Sequence, residues 1–181
     1  MGEERVVKNR RWKEQFVILF FGFILSSFTG WLYETIITWI VNGVYCDRGI
    51  LHLPICPIYG FGSCILLCVL HRVKKPLFIF AGGTLLTGTF EYACSYLIEL
   101  VFHTAFWSYA GWPLSLDDRI SLIGSMVFGL LTVFYMKCLL PLSEWTYEKI
   151  GMKKAIIVVI VLFLAIIVDL LITLGDLPVL A

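Results

Sequence analysis

The stretch GWLYETIITWI, residues 30–40, sets Glu34 in the middle of an apolar run. A carboxylate in hydrocarbon is costly and calls for a partner, a proton or water. Whether that run crosses a membrane decides the fold. Of the 181 residues, 60% are hydrophobic and only 15% charged, and the mean hydropathy is +0.91. Soluble domains run at about 45–50% apolar and about 25% charged. The composition therefore reads as an all-α protein, a polytopic integral membrane helical bundle. The net charge is +1. Its few basic residues cluster at membrane borders, which speaks against a nucleic-acid partner.

A helix needs roughly 20 apolar residues to cross a bilayer core. Five runs meet or approach this: about 16–41, 57–72, 77–102, 120–141 and 155–174, within a single membrane domain at 16–175. The second is short and opens with Pro57. Basic residues gather on alternate links: Arg5, Lys8, Arg10, Arg11 and Lys13, then Arg72, Lys74 and Lys75, then Lys149, Lys153 and Lys154. The excess of basic residues marks the cytoplasmic side. The expectation is five spans, a cytoplasmic N-terminal segment at 1–15, outer loops at 42–56 and 103–118, and a short outer tail at 176–181. Residues 141–154, PLSEWTYEKIGMKK, read as an amphipathic surface helix with Trp145 and Tyr147 at the interface. No internal repeat stands out.

Glu34, Glu91, Glu99 and Asp169 lie within the runs. Glu91, Ser95 and Glu99 follow i, i+4, i+8 and so share one helical stripe. Glu34 lies about 12 Å from the outer end of its run at about 1.5 Å per residue. Glu99 lies near the outer surface and Glu91 deeper. The outer loops carry Arg48, Trp107, Tyr109 and Arg119, stiffened by Pro54, Pro57 and Pro113. These residues point to one outward-facing pocket, with Glu34 or Glu99 paired to Arg48 and walls from Tyr33, Tyr59, Tyr92, Tyr96 and Trp107. The candidate substrate-binding set is Glu34, Arg48, Tyr59, Glu91, Ser95, Glu99, Trp107, Tyr109 and Arg119. Charge would persist at the mouth and protons would come and go at the floor. The bland alternatives are structural hydrogen bonds for the acids and an interfacial aromatic belt for the loop rings.

No catalytic residue, metal ligand set or cofactor motif is assigned. His52 and His103 read as surface or hydrogen-bonding histidines, and HExxH is absent. Cys64 and Cys68 share a helix face and suit packing. Cys46 and Cys56 flank one outer loop, and their state, thiol or disulfide, stays open. The role of Asp169 also stays open.

GWLYE at 30–34, DRGIL at 47–51, Pro54, PIYGFG at 57–62, EYACSYLIE at 91–99, Trp107, Tyr109, Pro113 and RISL at 119–122 followed by Ser125 together resemble one family. It is that of the type IV ABC-transporter, or CmpB-like, membrane proteins. The resemblance covers about residues 16–175 and implies membership of a transport system. The chain departs from the family in its loop. Where the family reads Trp-Asp-Tyr-Ser, this chain has Trp107, Ser108, Tyr109 and Ala110. Leu53 and Asp118 stand where Gly is usual, and Phe128 replaces a Trp. Asp117 or Asp118 would have to stand in for the missing loop acid.

Three functions compete. The first is a small permease or substrate-binding membrane subunit, surrounded by membrane lipid and completed by a homodimer or a separate ATPase subunit. No GxxxxGK[ST] pattern occurs, so the ATPase would be another chain. The second is an intramembrane enzyme acting on a lipid or lipid-linked substrate by Glu acid/base chemistry. The third is a non-catalytic membrane scaffold.

Overall fold

The computed structural model describes residues 11–45, 47, 49–105 and 107–176. It is nearly all helix: α1 (Trp12–Asn42), α2 (Pro57–Leu70), α3 (Pro76–Phe102), α4 (Leu122–Phe134) and α5 (Leu140–Asp176). A π-helical turn (Tyr135–Leu139) links α4 to α5, and a small hairpin of β1 (Ser115–Leu116) and β2 (Ile120–Ser121) precedes α4. Among the described residues, three helical stretches are long and apolar enough to cross a membrane: Trp12–Ile40, Pro76–Val101 and Leu122–Gly175. The run expected at 57–72 is the 14-residue α2. The run expected at 120–141 begins in β2 and continues into the third stretch, which also holds the run expected at 155–174. The amphipathic segment between them stays helical up to Gly151, whose φ of 74° and ψ of 163° break the helix inside α5. Such angles suit a residue without Cβ.

Local chemistry sets the ends. Pro76 starts α3 at the position where a missing N–H costs nothing. Ser121 caps α4 by accepting from Gly124 N–H at 3.0 Å. Gly43, at φ 70°, closes α1 by donating to Trp39 C=O at 2.9 Å.

The chain divides into two compact units, residues 1–64 with 139–181, and residues 65–138. In the first, α1 packs on α5. Val17, Phe21 and Ala155 are buried there, with Phe20, Tyr147, Ile150, Met152 and Val159 against them. Beyond Gly151 the buried positions of α5 are Ala155, Asp169 and Thr173, a spacing that keeps one face inward. Towards its other end α1 meets α2 through small residues. A Cβ at Gly30 would fall inside the Tyr59 ring, and one at Gly60 would collide with Ser27 Oγ and Phe23.

The second unit is built on α3 against α4 in the same manner. A Cβ on Gly83 would come within 2.6 Å of Thr132 Oγ1, and one on Gly88 within 2.8 Å of Ser125 Oγ. Gly129 accepts Thr84 and Phe80 at equally close range. Small residues that let backbones approach are how helices associate where lipid is as apolar as leucine. Two of the buried hydroxyls close onto their own helices, Thr132 donating to Phe128 C=O and Ser27 to Phe23 C=O, each at 2.8 Å. The outer faces are large apolar side chains such as Leu85, Leu130 and Leu171, all more than half exposed.

Candidate functional site

Six of the candidate residues assemble in the second unit, along the C-terminal half of α3. The hairpin organises them. Asp117 and Asp118 have φ of 50° and 53°, and Arg119 N–H closes onto Leu116 C=O at 3.0 Å. Positive φ at both central residues is the requirement of a type I′ turn, whose twist matches the strands. Asp118 stands where the family resemblance calls for Gly, and its left-handed backbone supplies the reason. The loop before the hairpin is tied to it twice, by Tyr109 N–H to Asp118 C=O at 2.7 Å and by Trp107 Nε1 to Arg119 C=O at 3.1 Å.

So positioned, the loop side chains meet α3. Tyr109 OH donates to Glu91 Oε1 at 2.7 Å. Arg119 forms an ion pair with Glu99, donates from Nη1 to Ser95 Oγ at 3.3 Å, and lies 5.6 Å from the centre of the Tyr96 ring. Tyr92 OH donates to Asp117 Oδ2 at 2.7 Å. The stripe Glu91, Ser95, Glu99 is thus engaged along its length. At about 1.5 Å per residue, Glu91 lies about 16 Å from the end of α3 and Glu99 about 5 Å. Ser108, in place of the family's loop aspartate, accepts Ala110 N–H at 3.2 Å. That is the turn a side-chain oxygen makes two residues ahead of itself, here without the charge. Asp117 is the acid that meets a tyrosine.

The first unit holds Glu34 and Tyr59. Tyr59 OH donates to Glu34 Oε1 at 2.7 Å. Gly30, one turn before Glu34, leaves the room in which the Tyr59 ring lies. The following loop is pinned by Asp47 Oδ1, which accepts Trp31 Nε1 at 2.7 Å and Gly49 N–H at 3.0 Å. Arg48, the expected partner of Glu34 or Glu99, lies outside the described residues, as does Cys46. Among the described residues, Glu99 pairs with Arg119. Sequence reasoning offered both arginines as site residues, but charge alone does not say which loop folds back onto α3.

It also missed a cluster in this unit. Asp169 on α5 accepts His52 N–H at 3.3 Å and Leu53 N–H at 3.0 Å, and its Oδ1 lies 3.1 Å from His52 Nδ1. Thr173 Oγ1 is 3.2 Å from the same nitrogen. The i, i+4 spacing of Asp169 and Thr173 was legible as a polar face. Their partner, 117 residues earlier in the chain, was not. Among the described residues no group of three or more His, Cys, Asp or Glu is arranged to hold a metal ion.

Every acid of the apolar runs therefore has a named donor: a phenol for Glu34 and Glu91, a guanidinium for Glu99, and backbone amides with an imidazole for Asp169. Such an arrangement holds carboxylates in place and can exchange a solute's hydrogen bonds for its own. The family model described as "Putative ABC-transporter type IV" matches residues 21–174. The chain belongs to that family. The match spans the Glu34, Glu91, Glu99 and Asp169 positions together with the loops at 43–56 and 103–121. Family membership and three membrane-length apolar helices make this a membrane protein related to ABC-type transport. No curated protein and no solved structure matches the chain.

Proposed function

We propose that the chain is a small membrane permease, or the substrate-binding membrane subunit of a transport system, with an outward-facing acidic and aromatic site. The observation that supports this most is the stripe on α3, where Glu91 is held by Tyr109 and Glu99 by Arg119. Acids within apolar helices are costly and mark solute or proton paths more often than packing. A purely structural role would be met by hydroxyls closing on their own helix, as Thr132 and Ser27 do.

The reading takes the chain as a multi-pass protein of the cell membrane with five spans and a cytoplasmic N-terminus. Arg11 and Lys13, Arg72, Lys74 and Lys75, and Lys149, Lys153 and Lys154 then share the inner side. Within Leu122–Gly175, the polar segment around Gly151 separates two apolar stretches, which supports two crossings. The Glu34–Tyr59 pair is a separate acid and phenol pair in the other unit. Energy input falls to a separate ATPase chain, and a homodimer would enlarge so small a path.

The test is solute entry, down its gradient, into proteoliposomes of the purified chain, a step that needs no ATPase. Vesicles are incubated with a metabolite extract, and their contents are read by mass spectrometry. Wild-type vesicles should enrich at least one solute class over empty vesicles, and Glu91→Gln vesicles, with equal insertion, should not. Equal contents in wild-type and Glu91→Gln vesicles would overturn the reading.

A further inference from the structure

The cleft at the outer end of α3 has an unusual charge balance. It has a volume of about 390 Å³ and is lined by Tyr96, Glu99, Leu100, His103 and Arg119. Arg119 is the more buried of its charged pair, with its side chain 20% exposed against 48% for Glu99. A guanidinium carries five N–H donors. Arg119 uses one on Ser95 and one on Glu99, and the others have no partner among the described residues. A half-sheltered cation with donors unfilled beside an open cleft is prepared for an oxyanion.

A simple anion is nevertheless a poor fit. It would have to settle beside the Glu99 carboxylate, with Asp117 and Asp118 on the adjoining turn adding negative charge. At this separation the repulsion offsets much of the attraction to Arg119. A simple cation meets the converse difficulty. Glu99 would accept it, but Arg119 lies in direct contact with that carboxylate. The pair is neutral as a whole and strongly dipolar, so it best complements a ligand that is also neutral and oppositely dipolar.

We propose that this cleft binds a zwitterion, with its carboxylate or phosphate on Arg119 and its ammonium on Glu99. Because the two protein charges touch, the two ligand charges must be only a few bonds apart. That defines a class: α-amino acids and phosphate diesters of ethanolamine, such as glycerophosphoethanolamine. The Tyr96 ring, with the guanidinium over it, forms one wall, and Leu100 the apolar edge. The same chemistry is available from a free solute or from a phosphatidylethanolamine headgroup at the membrane surface. This deepens the transport reading, on which it rests for the ligand being cargo, but binding can be tested without transport.

The experiment is thermal unfolding of the full chain in phosphatidylglycerol nanodiscs, titrated with glycine, glycerophosphoethanolamine, acetate and ethylamine. Glycine or glycerophosphoethanolamine should raise Tm saturably. Acetate and ethylamine should act on the order of tenfold more weakly, the size of one lost charged hydrogen bond. Glu99→Gln should abolish the preference, so that acetate matches glycine, and Arg119→Gln should abolish binding of both. Should Arg119→Gln fail to fold, wild-type selectivity and Glu99→Gln still decide. Acetate as effective as the zwitterions on wild type, no shift with either zwitterion, or an unchanged preference in Glu99→Gln would each overturn the proposal. Repeating the titration in phosphatidylethanolamine nanodiscs separates the sources. A weakened response to glycerophosphoethanolamine there indicates a lipid headgroup as occupant, and an unchanged one a free solute. Zwitterion binding without solute entry into vesicles would count against the transport reading alone. Solute entry without zwitterion binding would count against this one alone.

Discussion

The bond from the Tyr109 phenol to Glu91 on α3 makes a sharp prediction. Tyr109→Phe removes the donor to Glu91 Oε1 while preserving the ring's contact with Trp112, whose centroid is 5.7 Å away. Leaving a buried acceptor without that donor costs about 1–3 kcal/mol. Thermal unfolding in detergent should show Tyr109→Phe destabilised by that order, and an unchanged Tm would mean that the bond contributes nothing to the folded state. Asp118 makes a second prediction of opposite sign. Its φ of 53° is a conformation that glycine adopts freely and that costs other residues about 1–2 kcal/mol, less for Asp. Asp118→Gly should therefore fold at least as stably as wild type, and Asp118→Ala less stably. The same residue-scale view shows what the sequence could carry. That Glu34, Glu91 and Glu99 needed partners followed from cost alone. Which partners they take did not, because Tyr109 and Arg119 reach α3 only once the type I′ turn has aimed the loop.

Helix pairing in each unit depends on glycines placed one turn before an acid. Gly30 precedes Glu34 and opens space for Tyr59; Gly88 precedes Glu91 and opens space for Ser125. Neither pairing was read from the chain, since the two loops that follow differ in length and no repeat registers along the sequence. Gly30→Ala would drive a methyl into the Tyr59 ring, and overpacking of this kind costs typically about 1–3 kcal/mol. Gly62→Ala, two positions beyond Gly60 on α2, meets nothing within 4 Å. There the helix should gain by up to about 1 kcal/mol, the helical preference of Ala over Gly. Unfolding of the two variants side by side should give shifts of opposite sign, and a loss of equal size in both would remove the close-packing account. The element boundaries themselves were partly legible. Pro57 was read as the opening of the second run and begins α2, whereas Pro76, Ser121 and Gly43 were not read as the two starts and one end they make. The break in α5 was placed between a surface helix at 141–154 and a run at 155–174, a few residues beyond Gly151, whose backbone angles make it.

At the scale of the whole molecule, hydropathy carried the class and the family resemblance carried the context. Composition alone marked an all-α membrane protein, and the match over residues 21–174 places it in its family. The His52–Asp169–Thr173 cluster shows the limit of such reading, since a contact across 117 residues leaves no periodic trace. The central claim is that the loop carrying Trp107, Tyr109 and Arg119 faces outward and offers its site to the outer solution. The direct measurement is labelling of single cysteines, introduced as Ala110→Cys or Lys74→Cys in a chain with its native cysteines replaced, in sealed right-side-out vesicles with a membrane-impermeant thiol reagent. The account predicts reaction at position 110 without permeabilisation and at position 74 only after it. Reaction at 74 in sealed vesicles, with 110 protected, would contradict the account and place the site on the opposite side of the membrane.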